Sequence, residues 1–134
     1  MENQDANDAQ ALVRRFFAAF SDNEDAAMAD CLAQDVEAHI TAADGGTMRL
    51  CGRDAFMANI LAMDTKAVAP TVQITQILSV DARNVLVMIE VKAERKGRSL
   101  HNFAAFLMAV EVGRIVRIHM VEALPQESAT FWKA

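Results

Sequence analysis

Two turn signals in the second half of the chain most constrain how it can fold. Four runs rich in Val and Ile, at 71–80, 85–95, 98–110 and 114–123, are separated by short turns. Lys96-Gly97 is typical of a two-residue hairpin, and residues 111–113 of a three-residue loop with glycine in a left-handed position. Because tight turns fix strand register, these runs predict an antiparallel sheet whose cross-strand pairs can be counted.

Counting cross-strand pairs outward from the two turns places most of the apolar side chains on one face of the sheet. Its pairs are Val91 with Asn102, Ala93 with Leu100, Met108 with Val116, Phe106 with Ile118, and Asn102 with Glu122. The residues that share this face are Val85, Val87, Ile89, Val91, Leu100, Ala104, Phe106, Met108, Val116, Ile118 and Met120. Only Asn102 and Glu122 interrupt the face, so we expect helices to cover it.

The opposite face is mixed but too apolar for full exposure to water. Its residues are Leu86, Met88, Glu90, Lys92, His101, Phe103, Ala105, Leu107, Arg117, His119 and Val121. We therefore expect a partner subunit on it, in a homodimer. His101 and His119 face outward by this parity, in an interface network. A one-residue slip of either hairpin would turn them inward and make each a candidate base.

The first half of the chain predicts mainly helices. Apolar residues recur at helical spacing in three segments: from Asn7 or Asp8, at 28–32, and after Gly52-Arg53-Asp54. In the third predicted helix, the inner side carries Phe56, Ile60, Leu61 and Met63. Residues 36–41 alternate as a strand, 42–47 form a turn-rich link, and Pro70 stops the third helix. Pro125 starts a final helix at 126–133 that carries Phe131 and Trp132. The expected fold class is α+β.

Composition excludes several classes of function. The net charge is −5 and no basic cluster is present, so nucleic acid is not an expected partner. Apolar stretches fall short of the roughly 20 residues of a membrane helix. The sequence does not open with the basic and then apolar segments of a signal peptide. Cys31 and Cys51 are interpreted as reduced thiols in the core. Together these features predict a cytoplasmic protein. The scattered His and Cys indicate neither a metal site nor a cofactor.

Three motifs, in this order and spacing, carry a family resemblance. They are Leu32-Ala33-Gln34-Asp35-Val36, Gly52-Arg53-Asp54-Ala55-Phe56 and Gly113-Arg114-Ile115-Val116. With them, the chain resembles the SnoaL-like branch of the nuclear transport factor 2-like superfamily over nearly its whole length. The resemblance implies one domain, 1–134, of cone shape: N-terminal helices packed on a strongly curved, mainly antiparallel sheet, often with an apolar cavity and often dimeric through the outer face.

The superfamily includes ketosteroid isomerases, scytalone dehydratases, polyketide cyclases, limonene epoxide hydrolases and non-catalytic modules. The general base and the tyrosine of the isomerase pattern fall on Ile40 and Phe16, which cannot serve those roles. The third isomerase residue falls on Asn102, whose amide can still donate a hydrogen bond. The dehydratase pattern needs tyrosines, and this chain has none. The acid of the SnoaL-type cyclases falls near Glu122 or Ala123, and of these two only Glu122 can carry an acid–base role.

These observations predict a cavity that takes a small apolar or aromatic molecule, with cofactor-independent acid–base chemistry of isomerase, cyclase, dehydratase or hydrolase type. Glu122 is the predicted acid or base, because an apolar setting raises a carboxyl pKa, and Asn102 is the predicted donor. The residues predicted to contact the ligand are Phe16, Phe20, Ile40, Phe56, Phe106, Ile118, Met120 and Trp132. The alternative is a non-catalytic homodimeric binding or assembly module, in which Asn102 and Glu122 form a structural polar pair.

Overall fold

The computed structural model of the chain describes residues 2–63 and 65–133. Within these residues the helices are α1 (Glu2–Ser21), α2 (Asp25–Asp30), α3 (Arg53–Leu61), α4 (Thr65–Val68) and α5 (Pro125–Lys133). The strands are β1 (Leu32–Thr41), β2 (Thr47–Cys51), β3 (Thr71–Ser79), β4 (Asn84–Arg95), β5 (Arg98–Glu111) and β6 (Arg114–Glu122). The α+β class predicted from the sequence is confirmed.

All six strands belong to one mixed sheet in the order β2-β1-β6-β5-β4-β3. β1 and β6 run parallel, and every other neighbouring pair is antiparallel. Register shifts interrupt the pairing of β1 with β6, of β3 with β4 and of β5 with β6. Such bulges bend strands and increase their twist, which lets this sheet curve over the helices. It remains an open sheet, with β2 and β3 at its edges.

The β4–β5 hairpin has the predicted register. Lys96 and Gly97 form its two-residue turn, both with positive φ, at 50° and 78°. Two left-handed residues match the twist of the flanking strands, as in a type I′ turn. Val91 is paired with Asn102 and Ala93 with Leu100, as counted from the sequence.

The predicted register of the β5–β6 hairpin was wrong. Its turn has two residues, Val112 and Gly113, with φ of 51° and 72°, and Glu111 pairs with Arg114. Val116 is then left unpaired, because Val110 pairs with Ile115 while Ala109 pairs with Arg117. The shorter turn and this bulge together shift the pairing by two residues. The observed pairs are Met108 with Ile118, Phe106 with Met120, and Ala104 with Glu122.

A shift of two residues leaves every later side chain of β6 on its predicted face, since the side-chain period of a strand is two. Ile118 is fully buried and His119 is exposed, as that parity requires. The exception is Val116, predicted to lie inside. It is only half-buried, and Ile115 takes the buried position before the bulge.

Helix α1 supplies the main cover of the inner face. Leu12, Val13, Phe16 and Phe17 are buried in one core cluster with inward residues of β1, β4, β5 and β6. Phe17 meets Phe106 of β5 edge to face, with ring centroids 5.1 Å apart. Aromatic pairs in this arrangement add about 0.5–1.5 kcal/mol to the burial of their surfaces. The helix therefore holds the sheet in its curved form.

Several boundaries in the first half differ from the sequence predictions. Helix α1 begins at Glu2 instead of Asn7 or Asp8, and β1 begins at Leu32 instead of Val36. Strand β2 was not predicted, because exposed side chains dominate it and hydrogen bonding to β1 defines it. The short helix α4 was also missed. In helix α3, Leu61 is 55% exposed, since it lies five residues from buried Phe56 and about 140° around the helix from it.

The two cysteines also differ from each other. Cys31 is buried as predicted, whereas Cys51 is exposed. Cys51 lies on the edge strand β2 opposite Glu37, so no element covers it on one side. In the part of the chain that the structure describes, no helix combines the length and apolar character needed to cross a membrane.

Candidate functional site

A cavity of about 130 Å³ lies between the inner face of the sheet and the helices. Apolar side chains dominate its wall, and aromatic rings come from α1, α3, α5 and β5. The lining residues are Phe16, Phe17, Phe20, Met28, Ile40, Phe56, Asn59, Ile60, Met63, Pro70, Ile89, Val91, Leu100, Asn102, Ala104, Phe106, Met120, Glu122, Ser128 and Trp132. A ligand held there would lie against hydrocarbon and aromatic surface on most sides.

Seven of the eight residues predicted to contact a ligand line this cavity, and their binding role stays a prediction. Ile118 is the exception. It is fully buried in the main core cluster and pairs with Met108, which is also fully buried and outside the cavity wall. Neither residue reaches the cavity wall, and both belong to the packed core. Sequence parity separates the two faces of a strand, but it does not say where along a face a cavity ends.

Asn102 and Glu122 meet at the cavity wall, as the sequence predicted. The carboxamide Nδ2 of Asn102 donates to Oε2 of Glu122 at 3.1 Å. Oδ1 of Asn102 accepts from the backbone N–H groups of Phe103, at 2.9 Å, and Leu124, at 3.0 Å. Asn102 is only 4% exposed, so these bonds hold its amide in one orientation. The donor side of that amide is thereby directed at the carboxylate.

Glu122 is a half-buried carboxyl group among apolar neighbours. Burial raises its pKa above the ordinary value for glutamate, while hydrogen bonds from Ser128 and Asn102 oppose part of that rise. Desolvation disfavours the charged form of an acid, which is the cause of the upward direction. A carboxyl group of this kind keeps its proton to higher pH than a surface glutamate and can deliver it to a bound molecule.

The backbone around Glu122 is also held. Its N–H donates to Oγ1 of Thr41 at 3.2 Å, and the Thr41 hydroxyl donates to the carbonyl of Met120 at 3.2 Å. Thr41 is the last residue of β1, the parallel neighbour of β6. The end of β6 is thus fastened on both sides, to β1 through Thr41 and to β5 through Asn102.

Two polar residues of the cavity wall were missed by the sequence analysis. Ser128, on α5, is 8% exposed and hydrogen-bonded to the Glu122 carboxylate. It precedes Phe131 and Trp132 by three and four residues, so helical spacing could have put it on the same inward face. Asn59, on α3, likewise follows Phe56 by three residues. This spacing puts Asn59 on the same helix face as Phe56, but a pattern of apolar residues alone does not indicate a polar residue on that face.

The histidines lie on the outer face, as the parity of their strands predicted. His101 is exposed and its Nε2 lies 2.6 Å from Oε2 of Glu90. His119 stacks on His39, with ring centroids 4.8 Å apart and planes 9° from parallel. His39 also contacts Glu37 at 2.8 Å. None of these rings lines the cavity, and the described side chains contain no group of three His, Cys, Asp or Glu suited to a metal ion.

A curved mixed sheet over a long N-terminal helix, with a cavity between them and a final helix closing one side, defines a nuclear transport factor 2-like domain. Residues 13–118 match the family model of the SnoaL-like domain. The chain belongs to the SnoaL-like family.

Its similarity to known proteins extends over most of its length. An uncharacterised protein of Mycobacterium tuberculosis is 34% identical over 126 residues, which cover 90% of this chain and 93% of that protein. Among solved structures, Bal32a from a soil-derived mobile gene cassette has a TM-score of 0.82, with 21% identity over 96% of this chain and 98% of the other. An epoxide hydrolase of M. tuberculosis, LEH-like, has a TM-score of 0.76, with 15% identity over 96% and 93%. These two structures share the fold.

Proposed function

We propose that this SnoaL-like domain binds a small, neutral, largely apolar molecule in its cavity and transfers a proton to or from it through Glu122. The observation that carries the proposal is the Asn102–Glu122 hydrogen bond of 3.1 Å on an otherwise apolar wall. Even a half-buried carboxyl group among apolar side chains is costly where only packing is needed. A protein that retains one, oriented by two side chains, is a candidate for acid–base chemistry.

The size of the cavity supports a molecule of about one ring. Ligand sites for larger molecules are usually about 300–1,000 Å³, whereas this cavity has about 130 Å³. An apolar protein cavity of about 150 Å³ is known to hold benzene. A larger substrate would require displacement of partly buried wall residues such as Phe20 and Trp132.

Charge supports a neutral molecule. Among the described residues that line the cavity there is no Lys, Arg or His to balance an anion. With its raised pKa, Glu122 can hold the proton as an acid or, once ionised, accept one from the ligand. Asn102 and Ser128 keep the carboxyl group in place in either state. Isomerisation, cyclisation, dehydration and hydrolysis all contain such a proton-transfer step, and none of them requires a cofactor.

The second candidate is a homodimeric binding or assembly module without turnover, favoured by a cavity smaller than most ligand sites. The outer face supports the dimer in both candidates. Met88, Phe103, Leu107 and Val121 expose 43%, 46%, 38% and 64% of their surfaces there. Large apolar side chains grouped in this way are typical of association surfaces. A partner subunit would cover them.

A matched pair of variants tests the cavity. Ala104 lines it and is 9% exposed, whereas Ala109 belongs to the same strand with the opposite parity. Ala104→Leu should fill the space and abolish the binding of toluene and phenol measured by NMR titration, and Ala109→Leu should leave binding unchanged. Turnover is sought among one-ring neutral compounds, with Glu122→Gln as the control. If Glu122→Gln retains full turnover, the acid–base role is wrong, and if the native protein binds no one-ring compound, the assembly module is favoured.

A further inference from the structure

The polar groups of the cavity wall divide into those already paired and those still free. Asn102 and Ser128 each hydrogen-bond to the Glu122 carboxylate, and Oδ1 of Asn102 also accepts from two backbone N–H groups. Asn59 lines the same cavity from α3, and within the described part of the chain its carboxamide makes no hydrogen bond. Its donor and its acceptor are both available. Asn59 is half-buried, and no buried side-chain N or O atom of the described residues lacks a partner, so water can reach this amide and a ligand would take the place of that water.

We infer that Asn59 is the specificity-determining residue of the site and recognises a hydroxyl or carbonyl group on the otherwise apolar ligand. This inference rests on the proposed function. A carboxamide both donates and accepts, so it pairs with a hydroxyl or a carbonyl oxygen without a change of charge. A site that offers such a partner discriminates strongly against an analogue that lacks the polar group, because its own amide is then left unpaired.

Asn102 is less suited to this recognition than its position suggests. Both hydrogen bonds to its Oδ1 come from backbone N–H groups, and one of its two Nδ2 hydrogens serves Glu122. Rotating the amide toward a ligand would break three hydrogen bonds at a residue only 4% exposed. Asn102 is therefore a positioning residue for Glu122, and the ligand's polar group is left to Asn59.

Besides the second Nδ2 hydrogen of Asn102, the indole N–H of Trp132 is an unpaired donor on the wall within the described residues. It can donate but cannot accept. A ligand hydroxyl that donates a hydrogen bond therefore finds an uncharged acceptor in Asn59 and not in Trp132. This difference separates the two residues by experiment: Trp132→Phe removes only a donor, whereas Asn59→Leu removes a donor and an acceptor.

The test uses toluene and phenol, two probes of nearly equal size that differ in one hydroxyl group. Dissociation constants are measured by NMR titration for the native protein and for Asn59→Leu, with Asn59→Ala as a second variant. Loss of one hydrogen bond of about 0.5–1.5 kcal/mol should weaken phenol binding roughly 2–12-fold. Toluene binding should change less than about twofold in Asn59→Leu, because the apolar wall is preserved. Ala58→Leu, at an exposed position of α3, is the matched control.

The outcomes are distinct. A selective loss of phenol affinity in both Asn59 variants, absent in Ala58→Leu, supports the inference. If the ratio of phenol to toluene affinity is unchanged, the assignment of Asn59 is wrong but the proposed cavity stays in place. An equal loss of affinity for both probes is one form of this outcome. Failure of the native protein to bind either probe overturns the proposed function and this inference with it.

Discussion

Asn102 donates a hydrogen bond to Glu122 at 3.1 Å although the two residues are not cross-strand partners. Glu122 pairs with Ala104, and Asn102 lies level with Leu124, from whose N–H it accepts at 3.0 Å. The contact is diagonal, between side chains on one face two positions apart, which long polar side chains can span. It orients the only acidic group on the described cavity wall.

Asn102→Leu should destabilise the protein by about 3 kcal/mol, because two backbone N–H groups lose their acceptor and each unsatisfied buried donor costs about 1–3 kcal/mol. The measurement is urea unfolding at neutral pH. Asn59→Leu is the control, since that amide has no intramolecular hydrogen bond to lose among the described residues. Equal destabilisation by the two substitutions would contradict a network role for Asn102.

The stability of the protein should fall with rising pH through the titration of Glu122. Its folded pKa is raised by burial, so the folded state binds the proton more tightly than the unfolded state. The resulting stabilisation is complete below the pKa of an unfolded glutamate and is lost as pH rises through the folded pKa. Glu122→Gln removes this dependence. Its stability relative to the native protein should improve from pH 4 to pH 7 in urea titrations.

Glu111→Gln removes the same charge at an exposed position and controls for net charge in that comparison. If the difference in unfolding free energy between the native protein and Glu122→Gln is constant over this pH range, burial does not perturb the carboxyl group of Glu122. Direct titration of the Glu122 carboxyl carbon by NMR gives an independent measurement of its pKa.

Val112→Asn should stabilise the β5–β6 hairpin by about 1 kcal/mol. Val112 is fully exposed with φ of 51°, a left-handed conformation that costs a β-branched residue about 1–2 kcal/mol. Asn followed by Gly is the preferred pair for a two-residue turn of this kind. Thermal unfolding measures the gain, with Val80→Asn as the control at a 57% exposed position without positive φ. No difference between the two variants would argue against strain at the turn.

Phe103→Asp should dissociate the proposed homodimer. Phe103 is 46% exposed within the apolar group of the outer face, and a buried charge without a partner weakens an interface strongly. We expect the dimer dissociation constant to rise at least about tenfold, measured by sedimentation equilibrium. Leu61→Asp, on exposed α3 surface away from the sheet, should leave association unchanged. A native protein that sediments as a monomer would rule out the outer face as a dimer interface.

How far the sequence could predict this structure depends on the range of the interactions involved. Lys96-Gly97 fixes a hairpin locally, so the pairing of Val91 with Asn102 could be counted correctly. The β5–β6 pairing was predicted two residues out of register, because its turn is one residue shorter than predicted and because Val116 forms a bulge that the alternation of residues does not indicate. Strand β2 has mostly exposed side chains and no apolar alternation, so its pairing with β1 left no pattern to find.

The candidate site shows the same division. Asn102 and Glu122 stand out as polar residues on an apolar face, and that contrast is visible in the alternation alone. Ser128 comes to Glu122 from another element, α5, through packing that no local pattern specifies. The volume of the cavity likewise depends on side chains from eight helices and strands.

The sequence by itself determined the face of most side chains in the hairpins, with Val116 as an exception at the bulge, because strand periodicity is set by local backbone geometry. It also determined that an apolar face carries one acid and one amide. Only the tertiary structure decided that Glu122 meets Asn102 diagonally, that Ser128 joins them, that Asn59 stays unpaired, and that about 130 Å³ remains between them. Those features depend on register, curvature and the packing of distant segments, which are settled only when the whole chain folds.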